Sequence, residues 1–252
     1  MLRSPHVVVP MLFLLPFMGI LLLGQATPAS AASPVDVVFA FDCTGSMGGV
    51  IDTAKARAVE IMNRVAELAP DCAFGVVSFS DYPGYYTSYG YSAQYGGYGD
   101  YAYRTETDVI TEQLVAAAAM YGLYTHWGAD GPQDYARVLW ETTQPYDPGN
   151  AWGITWRPGA RRIVVLFGDA PAHDDDLFSR SFGGDPGRDG IMFTADDLDY
   201  QGAIQQVAAA GITVLSVDCT KDYCCPYSSD AHYNFGVNPS DWTVQGVAIS
   251  TL

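Results

Sequence analysis

The sequence predicts an α/β domain: a doubly wound, mostly parallel sheet flanked by helices, Rossmann-like in plan. Two observations carry this. Apolar, β-branched runs alternate along the chain with segments of helical periodicity, as in a parallel sheet covered on both faces. Two of those runs also end in oxygen-bearing side chains, at the carboxyl ends where open sheets bind ligands.

The strand runs are DVVFAF (36–41), CAFGVVSF (72–79), RIVVLFG (162–168) and ITVLSV (212–217). Between the first two, residues 50–68 place Val50, Ala54, Ala58, Ile61, Met62 and Val65 on one helical stripe. Pro132 opens a second helix at its first turn, with Tyr135, Val138 and Leu139 inward. A third helix, Leu198 to Ala210, turns Ile204, Val207 and Ala208 inward and stops at Gly211, a residue suited to the left-handed cap position.

A chain of 252 residues that is 49% hydrophobic can bury a real core in one large domain or two small ones. Twelve Lys and Arg against 28 Asp and Glu give a formal charge of −16. That balance repels phosphate backbones and anionic membranes and favours cations, so nucleic acid is excluded as an expected partner. Residues 1–31 place Arg3 before an apolar stretch and end in Ala29, Ser30 and Ala31, the pattern of a cleaved signal peptide. Pro10 and Pro16 argue against a membrane anchor. The mature chain would carry 11 basic and 28 acidic residues, a net −17, and no second segment is apolar enough to span a bilayer. A secreted or cell-surface location follows. Of five cysteines, Cys219, Cys224 and Cys225 crowd one segment and suggest a local bridge, whereas Cys72 reads as a small buried hydrophobe. Cys43 stands beside Asp42, whose charge disfavours a thiolate.

The most informative stretch is DVVFAFDCTGSMGG (36–49), an apolar strand that hands over to Asp42, Thr44 and Ser46 at alternate positions. It is either a helix cap after a strand or half of a metal site. Asp169, at the end of RIVVLFG, falls on the same rim, and four converging oxygen groups are more than a cap requires.

These residues resemble a von Willebrand factor A domain, whose metal-ion-dependent adhesion site begins D-x-[ST]-x-S, here Asp42-Cys43-Thr44-Gly45-Ser46. The continuation is similar to the integrin β-subunit branch: GADGPQDYARVL (128–139) to its D-x-P-E loop and helix, and ITWRPGARRIVVLFGDAPAH (154–173) to its W-R, strand and Asp stretch. LDYQGAIQQVAAAGITVLSV (198–217) resembles the helix and strand that follow. The resemblance implies one such domain over 34–252, with a C-terminal end shorter than the family's. It also implies that Thr44 and Ser46 bind an ion by hydroxyl, and Asp42 and Asp169 directly or through water. Asp130 would sit in the same loop near a neighbouring cation, and Gln133 stands where the family has Glu. The implied ion is Mg²⁺, with Ca²⁺ or Mn²⁺ also compatible with oxygen ligation.

Two further segments stand out. Residues 80–103 form an insertion rich in Tyr, Gly and Ser, a composition of adaptable binding loops; Tyr85, Tyr86, Tyr89, Tyr91, Tyr95 and Tyr98 are expected to contact a ligand. A floppy, solvated insertion is the plain alternative. Within the acidic loop 185–199, Asp185, Asp189 and Asp196 have the spacing of a calcium loop, while Thr194 and Asp197 would make a capping box for the next helix. His173 in PAHDDD, beside Asp174, Asp175 and Asp176, reads as structural.

The expected function is an exported, non-enzymatic adhesion module that grips a carboxylate on a protein or glycan partner through a divalent cation. The alternatives are a metal-dependent hydrolase built on Asp169 and His173, with His126 and His232 at no spacing that ties them to it, and a metal-free scaffold domain of an envelope protein.

Overall fold

The computed structural model describes residues 33–88, 90–170, 172–174 and 183–219, with two short strands at 243–244 and 247–248. The signal segment, Tyr89, Asp175, Asp176, Cys224, Cys225 and His232 lie outside the described residues.

The first apolar run forms β1 (Val35–Asp42), buried from Asp36 onward, and takes the centre of a five-stranded sheet. A 3₁₀ turn (Gly45–Gly49) and α1 (Ile51–Leu68) lead to β2 (Cys72–Phe79), parallel to β1 with Asp42 opposite Phe79. The insertion folds as β3 (Gly84–Ser88) and β4 (Tyr91–Gly96), an antiparallel pair of its own. Then come β5 (Arg104–Ile110), α2 (Gln113–Gly122), α3 (Tyr135–Glu141), β6 (Arg161–Gly168), α4 (Tyr200–Ala209) and β7 (Ile212–Asp218). The strands β8 (Thr243–Val244) and β9 (Val247–Ala248) form a third, two-stranded pair.

The main sheet runs β5-β2-β1-β6-β7. Strand alternation explains its two cores: Val38, Ala40, Val164 and Leu166 meet Tyr135 and Val138 of α3 and Ile204 and Val207 of α4. On the opposite face Phe39, Phe41 and Phe167 meet Ile51, Ala58 and Met62 of α1 and Met120 of α2.

The expectation of a doubly wound, mostly parallel, Rossmann-like sheet is corrected. The sheet is mixed, because β5 runs antiparallel to β2, and a second antiparallel sheet, β3–β4, projects from it; the described residues hold four α-helices. Apolar periodicity reports burial and not strand direction, and β5 (RTETDVI) is a half-buried edge with no apolar run to mark it. Helix α2 was also unforeseen: its alanines carry little periodic signal, although Ala116 and Met120 are buried. In α4, Ala208 is exposed and Tyr200 and Ala203 take the inward face. The predicted capping box does not start that helix; Asp199 caps it by accepting from the Gly202 amide at 2.6 Å. Gly211 adopts φ +66 after it, the left-handed stop the sequence predicts.

Two arginines tie distant segments together. Arg157 binds Asp36 and the Val35 carbonyl of β1 and also Asp71, fastening the entry of the central strand. Arg137 of α3 is buried and pairs with Glu141 at 3.2 Å and Asp185 at 2.7 Å, both fully buried. Replacing it leaves the desolvated Asp185 carboxylate without its counter-charge and Glu141 with Arg188 alone. Arg137→Met is therefore expected to cost about 3–5 kcal/mol of unfolding free energy in urea titrations; a loss under about 1 kcal/mol would show that the pairs are not coupled to folding.

Candidate functional site

Asp42, the last residue of β1, is fully buried. Its Oδ1 accepts from the Thr44 amide at 2.8 Å and the Thr44 hydroxyl at 2.6 Å, and its Oδ2 from the Tyr135 hydroxyl at 2.9 Å. Thr44 Oγ1 lies 3.1 Å from Ser46 Oγ, which donates to Asp169 Oδ1 at 2.9 Å. Thus the ends of β1 and β6 bring four oxygen side chains into one continuous chain of contacts. Neither Thr44 nor Val50 makes a side-chain cap bond to the helical turn it precedes, so the hydroxyls serve the rim and not the helix.

Close backbone approach builds this rim. A Cβ on Gly45 would stand 2.7 Å from the Trp127 carbonyl, and the His126 amide donates to the Cys43 carbonyl at 2.6 Å, so the 123–128 segment closes on the motif. Gly128 lies against both Thr44 and Gln133: its Cβ position is 3.6 Å from Thr44 Cβ and 3.9 Å from Gln133 Nε2. Gln133 Oε1 is buried and has no hydrogen-bond partner, a donor oxygen left over beside the rim. Burial pushes the Asp42 carboxyl up to about 6, against the pull of the Thr44 and Tyr135 hydrogen bonds. No cationic side chain pairs with it among the described residues. A carboxylate desolvated without counter-charge, ringed by hard oxygens, fits a divalent cation.

Asp130 does not join this group. It sits with Asp81 and His173, whose ligand atoms all lie within 4.8 Å of one another, the one such group of three found among the described residues. His173 Nε2 is 3.3 Å from Asp81, and Asp130 Oδ2 accepts from the Tyr91 hydroxyl at 3.1 Å. Asp130 Oδ1, 3.9 Å from His173 Nε2, and both oxygens of the neighbouring Asp134 are buried without hydrogen-bond partners. Burial, then the charge of Asp130, raises the Asp81 carboxyl well above its ordinary value; burial lifts Asp130 to about 6. Two carboxylates and an imidazole are a donor set that a divalent cation accepts. Asp81 escaped the sequence reading, although it stands just beyond the end of β2, as Asp42 and Asp169 stand at the ends of β1 and β6. His173 is buried and stacks on Tyr95 with ring centroids 3.8 Å apart.

The tyrosine set divides. Tyr85 and Tyr98 are exposed, Tyr86 and Tyr91 half-buried, and Tyr95 is fully buried against His173, so it cannot contact a ligand as expected. The proposed calcium loop is closed by its own hydrogen bonds. Asp185 accepts from Arg137, the Tyr82 hydroxyl and the Gly187 amide, Asp189 from the Ile191 amide, and Asp196 from the Arg188 and Asp189 amides. Arg137 supplies at Asp185 the charge that calcium would have, and the three carboxylates do not gather. The Cys43 thiol is buried and pushed up by that burial and by Asp42, which leaves it no nucleophile. Trp127, on the segment that closes over Gly45, is 87% exposed; sequence reasoning passed over it because exposure of a lone aromatic has no sequence signature. No described helix is long and apolar enough to cross a membrane.

No protein-family model matches the chain. It is 27% identical over 175 residues, 67% of its length, to "Alpha-protein kinase vwkA" of Dictyostelium discoideum, and spans 23% of that relative. Among solved structures it is similar to the pilus adhesin SpaC of Lactobacillus rhamnosus GG in an open conformation, at TM-score 0.42 and 14% identity, covering 73% of this chain and 23% of that one. It is also similar to the three N-terminal domains of the type V pili tip protein Mfa5 of Porphyromonas gingivalis, at TM-score 0.36 and 14% identity, covering 58% and 22%. The chain thus spans less than a quarter of each of these proteins.

Tyr135 holds the site from below: it donates to Asp42 and accepts from the Ala170 amide at 3.3 Å. Gly168 leaves room for it, since a Cβ there would fall 2.1 Å from the hydroxyl. Tyr135→Phe keeps the ring and removes one hydrogen bond from a buried carboxylate, and is expected to cost about 1–3 kcal/mol in urea titration. Gly168→Ala should lose at least as much by displacing the ring, whereas near-wild-type stability in both would remove Tyr135 from this role.

Proposed function

We propose that this chain is an exported binding module in which a divalent cation at the β1–β6 rim captures an acidic group of a protein or glycan partner. Asp42, Thr44, Ser46 and Asp169 would hold the ion, with Gln133 offering a neutral carbonyl oxygen. The resemblance of Asp42-Cys43-Thr44-Gly45-Ser46 to a metal-ion-dependent adhesion motif supports this reading. The observation that carries it is the unbroken contact chain from Asp42 to Asp169 around a carboxylate buried without counter-charge. When bound there, a divalent ion would supply a Lewis acid to a partner's oxygen. The residues do the rest: Tyr135 and the Thr44 amide orient Asp42, and Gly45 lets the 126–127 backbone close on the motif. The exposed Trp127 stands beside this mouth as an apolar contact. A second cation fits Asp81, Asp130 and His173, where an imidazole beside two carboxylates favours Mn²⁺ over Mg²⁺.

A binding role suits these residues better than hydrolysis. His173 is buried, stacked on Tyr95 and turned to Asp81, which leaves it badly placed to serve Asp169 as a base.

Titration calorimetry with Mg²⁺, Ca²⁺ and Mn²⁺ tests the reading. Binding is expected, with one Mg²⁺ class abolished by Asp42→Ala and by Asp169→Ala. At a hundredfold excess over Kd the ion should raise unfolding stability by about 2.7 kcal/mol, and EDTA should remove that gain. Absence of heat with all three cations would sink the proposal in favour of a metal-free scaffold. Chelator-sensitive turnover of a model phosphoester would sink it in favour of a hydrolase.

A further inference from the structure

A groove of about 460 Å³ opens where the tyrosine hairpin, the segment before β5, the 150–152 turn and the 188–190 loop converge. Its size is that of a small-ligand site. Three half-exposed rings, Tyr86, Tyr101 and Trp152, stand in its wall, one from each of three segments far apart in sequence. Nothing in the metal chemistry calls for them there.

The polar groups between the rings are preorganised. The Arg104 guanidinium lies 4.1 Å over the Tyr101 ring and is held at its edge by Glu106 and by the Tyr101 hydroxyl. Arg188 lies 5.0 Å over the Trp152 ring and is held through two of its nitrogens by Glu141. Each guanidinium is thus fixed on two sides, and its Nη1 makes no hydrogen bond among the described residues, so donors are presented with little ordering left to do. Asn150, an amide that both donates and accepts, is exposed at the rim. Two carboxylates, Asp100 and Asp189, share the wall with the two arginines.

The charge balance selects the ligand. An acidic ligand would meet Asp100 and Asp189, and a basic one the two arginines. A neutral ligand with many hydroxyls satisfies donors and acceptors together, and the apolar face of a pyranose packs on an aromatic ring. Basic residues are outnumbered in this chain, 12 to 28, yet two of them face this one groove.

We propose that this groove is a cation-independent binding site for a neutral oligosaccharide, with a pyranose ring on Tyr86 and hydroxyls on Arg104, Arg188 and Asn150. It goes beyond the metal-bridged reading and stands or falls separately from it.

The test is an array of neutral oligosaccharides probed with the purified protein in EDTA, followed by saturation-transfer NMR on the best binder. Binding that persists in EDTA is expected, weakened at least tenfold by Tyr86→Ala. Tyr86 also packs on Tyr82 and Tyr95, so Asn150→Ala and Asp189→Asn, both at exposed positions, serve as second variants and should each weaken binding several-fold with an unchanged unfolding midpoint. Three results would overturn the proposal: no array member bound, binding abolished by EDTA so that the sugar belongs to the cation rim, or binding of acidic peptides in place of sugars. Binding unaffected by the two surface variants would likewise place the sugar elsewhere.

Discussion

Asp42 is the constraint around which this molecule is arranged. It is the last residue of the central strand, so the pairing of β1 with β2 and β6 forces its carboxylate into the interior at the sheet's carboxyl edge. Everything nearby answers to that burial. Thr44 turns back to it, α3 carries Tyr135 in beneath it, and Gly168 gives that ring its space. Hydrogen bonds from neutral donors satisfy the oxygens but do not balance the charge, which leaves the rim electrostatically prepared for a cation.

The same tension recurs across the fold and is resolved in two ways. Where arginine is present the charge is neutralised in place: Arg137 takes Asp185 and Glu141, and Arg157 takes Asp36 and Asp71. Where arginine is absent, at Asp42 and in the Asp81, Asp130 and Asp134 group, buried carboxyls have no such partner; burial raises their pKa values, as it also raises that of Asp185 against the pull of Arg137. This division distinguishes the buried acids that face an arginine from those that do not, and in the loop bearing Asp185 it puts a guanidinium where the spacing suggested calcium.

The tyrosine-rich segment shows how tertiary contact changes the meaning of composition. In isolation it reads as a flexible binding loop; in the fold it is a hairpin anchored at one end, with Tyr95 on His173 and Tyr91 on Asp130, so the second acidic cluster is the hairpin's footing. The tyrosines left partly exposed then face the groove or solvent from a fixed position.

By itself the sequence determined the four apolar strands, the long helix α1, the stop at Gly211 and the oxygen residues at the ends of β1 and β6, because each depends on local periodicity or on a residue's position just past a strand. It could not determine strand direction at β5, the formation of α2 or the pairing of β3 with β4, which depend on contacts that leave no apolar period. Nor could it tell that Asp130 belongs with Asp81 and His173, or that Arg137 is the partner of Asp185. Those assignments join residues 43 to 92 positions apart in the chain, and only the folded sheet, by bringing its strand ends to one edge, decides which carboxylates meet an arginine and which do not.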